Sequence, residues 1–191
     1  MAAKDASATT LVTGKVRLSY TYLLEPEKDD EEKGKAGKYR CMILIPKTDK
    51  ATLKAIETAQ KAAAKEGAAL LGKIPPSGLN PAWSTLHDGD EDQDTEERPE
   101  YVGMMYLNCS TTRRPGIIDL RGNHLTTEDD VYPGMWARVQ IKAAAYKVPE
   151  KKGVTFYLNH VQKVADGDNL MGRSKPEDVF DILDEDEGDL I

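Results

Sequence analysis

The chain has 191 residues, 39% hydrophobic and 31% charged, and its 26 Lys+Arg against 33 Asp+Glu give a formal net charge of −7. No apolar run approaches the roughly 18 residues of a membrane helix, and Met1-Ala-Ala-Lys-Asp-Ala-Ser lacks the apolar stretch of a signal peptide, so a cytoplasmic address without membrane attachment is expected. The length suits one domain with a full core, and Cys41 and Cys109, far apart in apolar runs, read as reduced, buried small hydrophobes.

In chain order, Val12–Leu24 alternates Val12, Gly14, Val16, Leu18, Tyr20 and Tyr22 against Thr13, Lys15, Arg17, Ser19 and Thr21, the period of a half-buried strand. The run from Pro26 to Gly37 is a charged hairpin loop. Lys38–Ile45 predicts a second strand, with Tyr39, Cys41, Ile43 and Ile45 on one face and Lys38 and Arg40 on the other. Thr48 or Asp49 caps a helix reaching Glu66, striped by Leu53, Ile56, Gln60, Ala63 and Ala64. Gly67 stops it, unless the pattern continues to Leu71 before Gly72. Residues 72–103 form a long connection rich in Gly, Pro and acid, a length that is usually functional or disordered.

Met104–Ser110 is a third strand, with Met105, Leu107 and Cys109 opposite Met104, Tyr106, Asn108 and Ser110. Arg113-Arg114-Pro115-Gly116 turns into the apolar piece Ile117–Leu120, and Tyr132-Pro133-Gly134 is a second turn. Met135–Val148 alternates most clearly of all, and Val154–Val164 is its hairpin partner across a Pro149–Gly153 turn. Five main strands with one helix between the second and third predict a small antiparallel barrel.

Charge is segregated along this chain. The last sixteen residues, 176–191, carry eight acids and no base; Glu25–Glu32 carries six acids and one Lys; Asp88–Glu100 carries eight acids and one Arg. What remains holds 24 bases and 11 acids. A basic body inside an acidic total points to a polyanion binder that carries its own competitor. The expected organisation is a binding domain over 1–175, with acidic loops at 25–37 and 86–100, and an acidic tail over 176–191 that stays disordered unless captured.

The polar face of Met135–Val148 reads Trp136, Arg138, Gln140, Lys142, then Tyr146 beyond Ala144. Aromatics supply stacking surfaces for unpaired bases, and cations track phosphates. Lys15 and Arg17 lie on the polar face of the first strand and Lys38 and Arg40 on that of the second. Tyr106 and Asn108 face the same way on the third, with Arg113 and Arg114 just beyond. The candidate DNA contacts are therefore Lys15, Arg17, Arg40, Tyr106, Arg113, Arg114, Trp136, Arg138, Lys142 and Tyr146, with Trp136 and Tyr106 stacking and the cations pairing with phosphates.

Other chemistry finds little support. Asp90, Asp92 and Asp94 have the i, i+2, i+4 spacing of a calcium loop, but its sixth position is Thr95 and its twelfth Tyr101, so the pattern fails. His87, His124 and His160 have no zinc spacing to either Cys, and no nucleophile elbow, P-loop or dinucleotide fingerprint is present. The expectation is a non-enzyme without metal or cofactor. Two alternatives remain: an interaction module whose basic face docks an acidic protein, and a magnesium-dependent nuclease built on Asp90 and Asp92.

The segments Thr13-Gly-Lys-Val-Arg-Leu-Ser-Tyr, Tyr39–Lys47, Leu86-His-Asp-Gly-Asp-Glu with Arg98-Pro, Arg114-Pro-Gly, Val131-Tyr-Pro-Gly, Leu158-Asn-His-Val-Gln-Lys and Gly172-Arg-Ser carry a resemblance. In order and spacing, from about Leu11 to the end, the chain is similar to bacteriophage single-stranded-DNA-binding proteins with an OB-fold core and an acidic C-terminal tail. The acidic loop Glu25–Glu32 departs from that pattern. The resemblance implies an OB-fold-like barrel, mainly β with one principal helix, that binds single strands without sequence specificity during phage replication or recombination in the host cytoplasm. It implies no catalysis. The tail would compete with phosphates for the groove. Once released, Asp184, Glu185, Asp186, Glu187, Asp189, Leu190 and Ile191, with Phe180, Ile182 and Leu183 upstream, would engage replication or recombination proteins.

Overall fold

The computed structural model describes residues 7–27 and 37–170. Its strands are β1 (Thr10–Val12), β2 (Val16–Glu27), β3 (Lys38–Pro46), β4 (His87–Asp88), β5 (Met104–Thr111), β6 (Gly116–Ile118), β7 (Trp136–Val148) and β8 (Lys151–Ala165). They form one sheet that closes on itself through the pairs β7–β2, β2–β3, β3–β5, β5–β8 and β8–β7. β1 extends the β2 edge along β7, and β6 extends the β5 edge along β8.

Closure uses a seam that alternation does not reveal. β5 and β8 run parallel, at Cys109↔Phe156 and Ser110↔Tyr157, whereas the other barrel pairs are antiparallel. The barrel is also strongly staggered. Walking across strands from Thr10 leads to Lys142, Tyr157, Ser110, Arg40 and Tyr22, back on the same edge twelve residues further along. Such a stagger requires steeply tilted strands. Inside lie Val16, Leu18, Leu23, Ile43, Ile45, Leu107, Val139, Ile141 and Phe156, all buried.

The first strand departs from uninterrupted alternation at two places. Residues 13–15 break it, because Gly14 docks on the helix: its N–H donates to Thr52 Oγ1 at 2.8 Å, and a Cβ there would lie 2.5 Å from Asp49 Oδ2. Further on, Ser19 pairs with Met42 but Tyr22 pairs with Arg40, so three steps on β2 span two on β3. This is a β-bulge, and Tyr20 has φ +48° within it. The bulge reverses the facing of everything beyond. Leu23 is buried, while Tyr20 and Tyr22, expected inside with Val16 and Leu18, stand outside at 41% and 38% exposure.

Helix α1 (Lys50–Glu66) starts where the Asp49 side chain accepts from Thr52 N–H, and it buries Ile56, Ala59, Gln60, Ala63 and Ala64. At Gly67 the helix end meets β7 so closely that a Cβ would clash with Ala145. The short helix α2 (Ala68–Leu71) follows. The long connection is built rather than open: a 3-10 turn at Pro81–Trp83, β4, helix α3 (Gly89–Asp92) and another 3-10 turn at Pro99–Tyr101. The β7–β8 hairpin turns on Pro149–Glu150 alone, since Val148 already pairs with Lys151.

Candidate nucleic-acid interface

The walk around the barrel defines an outward-facing row. Tyr22, Arg40, Ser110, Tyr157 and Lys142 are successive cross-strand neighbours on β2, β3, β5, β8 and β7. Tyr157 is 49% exposed, and Arg40 and Lys142 are also exposed. Neighbouring strands lie about 4.8 Å apart, so the two tyrosines are about 14 Å apart along the sheet. The Arg40 guanidinium sits 5.4 Å from the Tyr22 ring centroid and pairs with the Glu27 carboxylate. Two aromatic faces and two cations on one row provide both stacking surfaces and phosphate partners. Arg113 and Arg114 stand exposed in the turn that leaves the β5 end of this row.

Tyr22 and Tyr157 were not among the residues the sequence singled out. Tyr157 was visible in the alternation of β8, between the inward Phe156 and Leu158. Tyr22 was hidden by the bulge, for which the sequence carries no turn residue.

Other predicted contacts fall elsewhere. Tyr106, expected to stack, is only 8% exposed and offers no open stacking face. β4 and the segment after it cover the ring. His87 stacks on its ring at 5.1 Å, Tyr101 meets it edge-on at 5.3 Å, and Gln93 Nε2 donates to its hydroxyl at 2.9 Å. That cover is clamped electrostatically. Lys47 Nζ reaches Asp88 Oδ1 at 2.5 Å and Asp90 Oδ2 at 2.7 Å, and Asp90 also accepts from Gly103 N–H at 2.9 Å. The hydrogen bonds to Lys47 hold both carboxyls below their usual range and raise Lys47 above its own. Asp88 and Asp90 are thus part of a buttress, and no metal-binding group of His, Cys, Asp or Glu occurs among the described residues.

Lys15, Arg17 and Trp136 gather at the other end of β2 and β7. Lys15 Nζ lies 5.0 Å over the half-buried Trp136 ring, which leaves one ring face covered. Arg17, paired with Trp136, donates to the carbonyls of Gly134 at 3.3 Å and Asp168 at 3.0 Å. These bonds hold a strap, residues 166–170, that returns from β8 across the barrel. Tyr132 Oη donates to Asp166 Oδ1 at 2.8 Å, and Leu170 N–H donates to Pro133 O at 3.0 Å. The Asp166 carboxylate and, above all, burial raise the Tyr132 hydroxyl pKa. Leu170, like Met42 and Met104, packs against the buried cluster of Leu44, Tyr101 and Tyr106.

Arg138 is exposed on β7 beside a separate cleft, and half-buried Tyr146 lies at the far hairpin end, where it packs against Gly153. Strand rise puts Tyr146 about 33 Å from Trp136, so one short ligand does not touch both. The tail residues Asp184, Glu185, Asp186, Glu187, Asp189, Leu190 and Ile191 lie outside the described residues, as do 28–36 of the first acidic loop. No described helix is long and apolar enough to cross a membrane.

A closed, staggered five-stranded barrel with cations and aromatics on its outer face is an OB-type barrel. A family model built on the Enterobacter phage Enc34 ssDNA-binding protein matches residues 9–191, and the chain belongs to that family, one of binding proteins and not of enzymes. It is 33% identical over 161 residues to protein p50 of Acyrthosiphon pisum secondary endosymbiont phage 1, covering 82% of this chain and 84% of that one. Its fold is similar to the bacteriophage Enc34 single-stranded DNA-binding protein in complex with ssDNA: TM-score 0.70, 24% identity, 85% and 89% of the two chains. It is also similar to gp2.5, a single-stranded DNA-binding protein of bacteriophage T7, with TM-score 0.53, 16% identity and 92% and 95% coverage.

Proposed function

We propose that the chain binds single-stranded DNA without reading a defined sequence, along the row Tyr22–Arg40–Ser110–Tyr157–Lys142, during phage DNA replication or recombination in the cytoplasm of the infected bacterium. The observation that carries this is the row itself: two exposed tyrosines interleaved with two cations on adjacent strands of an OB-type barrel. Family membership supports it, because the family's namesake is an ssDNA-binding protein. Arg113, Arg114 and Arg138 flank the row and extend the positive field that draws phosphates in. Lys15 adds charge at the barrel end, while Arg17 serves the strap.

The acidic tail, 176–191, acts in this reading as an internal competitor for the same surface and, when displaced, as the attachment point for replication or recombination proteins. Its eight acids without a base support the competitor role, since they offer the cations of the row the same charge as phosphates.

The test is a fluorescence-anisotropy titration of a labelled poly-dT oligonucleotide and a matched duplex. It compares the full chain with a truncation ending at Lys175, at two salt concentrations. Single-strand binding by both, tighter in the truncation and weaker at high salt, supports the row and the tail together. No single-strand binding by either at low salt overturns the reading and favours a basic face that docks an acidic protein.

A further inference from the structure

Beside the row lies a cleft of about 410 Å³ that the stacking surface does not use, bounded by β7, β8, β6 and the end of β1. Its floor continues the outward face of the row. Beyond the pair Lys142↔Tyr157, the next outward pairs are Gln140↔His160 and Arg138↔Gln162. Val12, 41% exposed, forms one apolar wall, and Ile118, beside His124, the other. A strand lying on the row therefore passes the cleft mouth about 7 Å from Lys142.

The polar groups are placed for hydrogen-bond reading. Gly116 N–H donates to His160 Nδ1 at 3.2 Å, which puts the proton of the neutral ring on Nε2. Gly116 is needed for that contact, since a Cβ there would lie 3.0 Å from Nδ1. Gln162 Nε2 donates to Asp119 O at 3.4 Å, so its Oε1 stays an acceptor. The Gln140 amide makes no hydrogen bond to the described residues and supplies both a donor and an acceptor. Arg138 is the one cation in the lining. A phosphate site would gather several cations, whereas apolar walls with a few mixed donors and acceptors suit a flat heteroaromatic ring.

We propose that this cleft takes one nucleobase of the bound strand, turned out of the stack, and reads its edge through Gln140, His160 and Gln162. The proposal rests on single-strand binding along the row and adds to it a modest preference for base identity.

The experiment measures affinities of the full chain for dT, dC and dA homopolymers of about 12 nucleotides and for an abasic strand of equal length. It repeats them for Gln140→Ala and Tyr22→Ala. The parent should spread the homopolymers by about three- to tenfold, the scale of one or two hydrogen bonds exchanged with water. Gln140→Ala should collapse that spread by weakening only the preferred base, and Tyr22→Ala should weaken all three homopolymers together. An unchanged spread in Gln140→Ala, or no spread in the parent, overturns the base pocket while strand binding stands. Absence of any strand binding by the parent overturns the function and the pocket together.

Discussion

Arg17 Nη2 donates to the carbonyl of Asp168 at 3.0 Å, although the two residues are 151 positions apart. A cation on the polar face of the first strand therefore fastens the C-terminal strap. Gly134 completes the fastening: it has φ +109°, and a Cβ there would sit 1.9 Å from Asp168 O. Arg17→Ala is expected to cost about 1 kcal/mol in stability, the net worth of the part-buried and exposed hydrogen bonds it removes. Amide exchange over 166–170 should speed up in that variant. Its salt dependence of DNA affinity should match the parent, whereas Arg40→Ala should lower the slope by about one. A reduced slope for Arg17→Ala would return it to the list of phosphate contacts.

Tyr22 and Tyr157 should behave unlike Tyr106. Each exposed ring offers one face to a base, so Tyr22→Ala and Tyr157→Ala should each weaken single-strand binding by about 1–3 kcal/mol with little change in melting temperature. Tyr106 is enclosed by His87, Tyr101 and Gln93. Tyr106→Ala should lower stability by about 3 kcal/mol through the cavity it leaves. Paired binding and unfolding titrations separate the two patterns. Loss of affinity without loss of stability at Tyr106 would show that its cover opens for DNA.

Alternation on β3, β5, β7 and β8 was readable because each strand buries one face, which pins the side-chain period. The helix was equally visible, with Asp49 one of two candidate caps beside Thr48 and Gly67 one of two candidate stops beside Gly72. Two features were not. The bulge at Tyr20 has no glycine or asparagine to announce it, yet it moves Tyr22 from the expected core to the surface. The cover over Tyr106 depends on Lys47 finding Asp88 and Asp90 across the sheet, a long-range pairing that no local pattern encodes. Alternation placed Tyr106 on the outer face correctly, but the outer face of a strand is not the surface of the protein when a loop lies over it.

Cys41 and Cys109 face each other across β3 and β5, with Sγ atoms 3.6 Å apart and both side chains 1% exposed. The hydrogen bond with Cys41, then burial, pushes the Cys109 thiol up. Both side chains lack access in the folded barrel, and the Cys109 thiolate, the reactive form, is disfavoured there. Iodoacetamide at mildly alkaline pH should therefore modify the native protein slower than the denatured chain by a factor on the order of 10³ or more. Mass spectrometry of timed samples reads this directly. Rapid native labelling of Cys109 would mean that β3 and β5 separate readily.

The Lys47 clamp makes the cover over Tyr106 dependent on pH, in a direction fixed by the shifts of its members. Asp88 and Asp90 are held below their ordinary range, so their contribution is complete above the unfolded carboxylate pKa near 3.9 and is lost as pH falls through the folded values. Lys47 is raised, so its contribution is complete below an unfolded pKa near 10.4 and is lost as pH climbs through the folded value. Between these limits the cover should be insensitive to pH. Amide exchange of residues 87–101, corrected for its intrinsic pH dependence, should stay flat from about pH 5 to 9 and rise on the acid side. Lys47→Met should raise exchange across the plateau and flatten the acid limb, because neither carboxylate then has its partner. An acid limb unchanged in Lys47→Met would show that other carboxylates govern the opening.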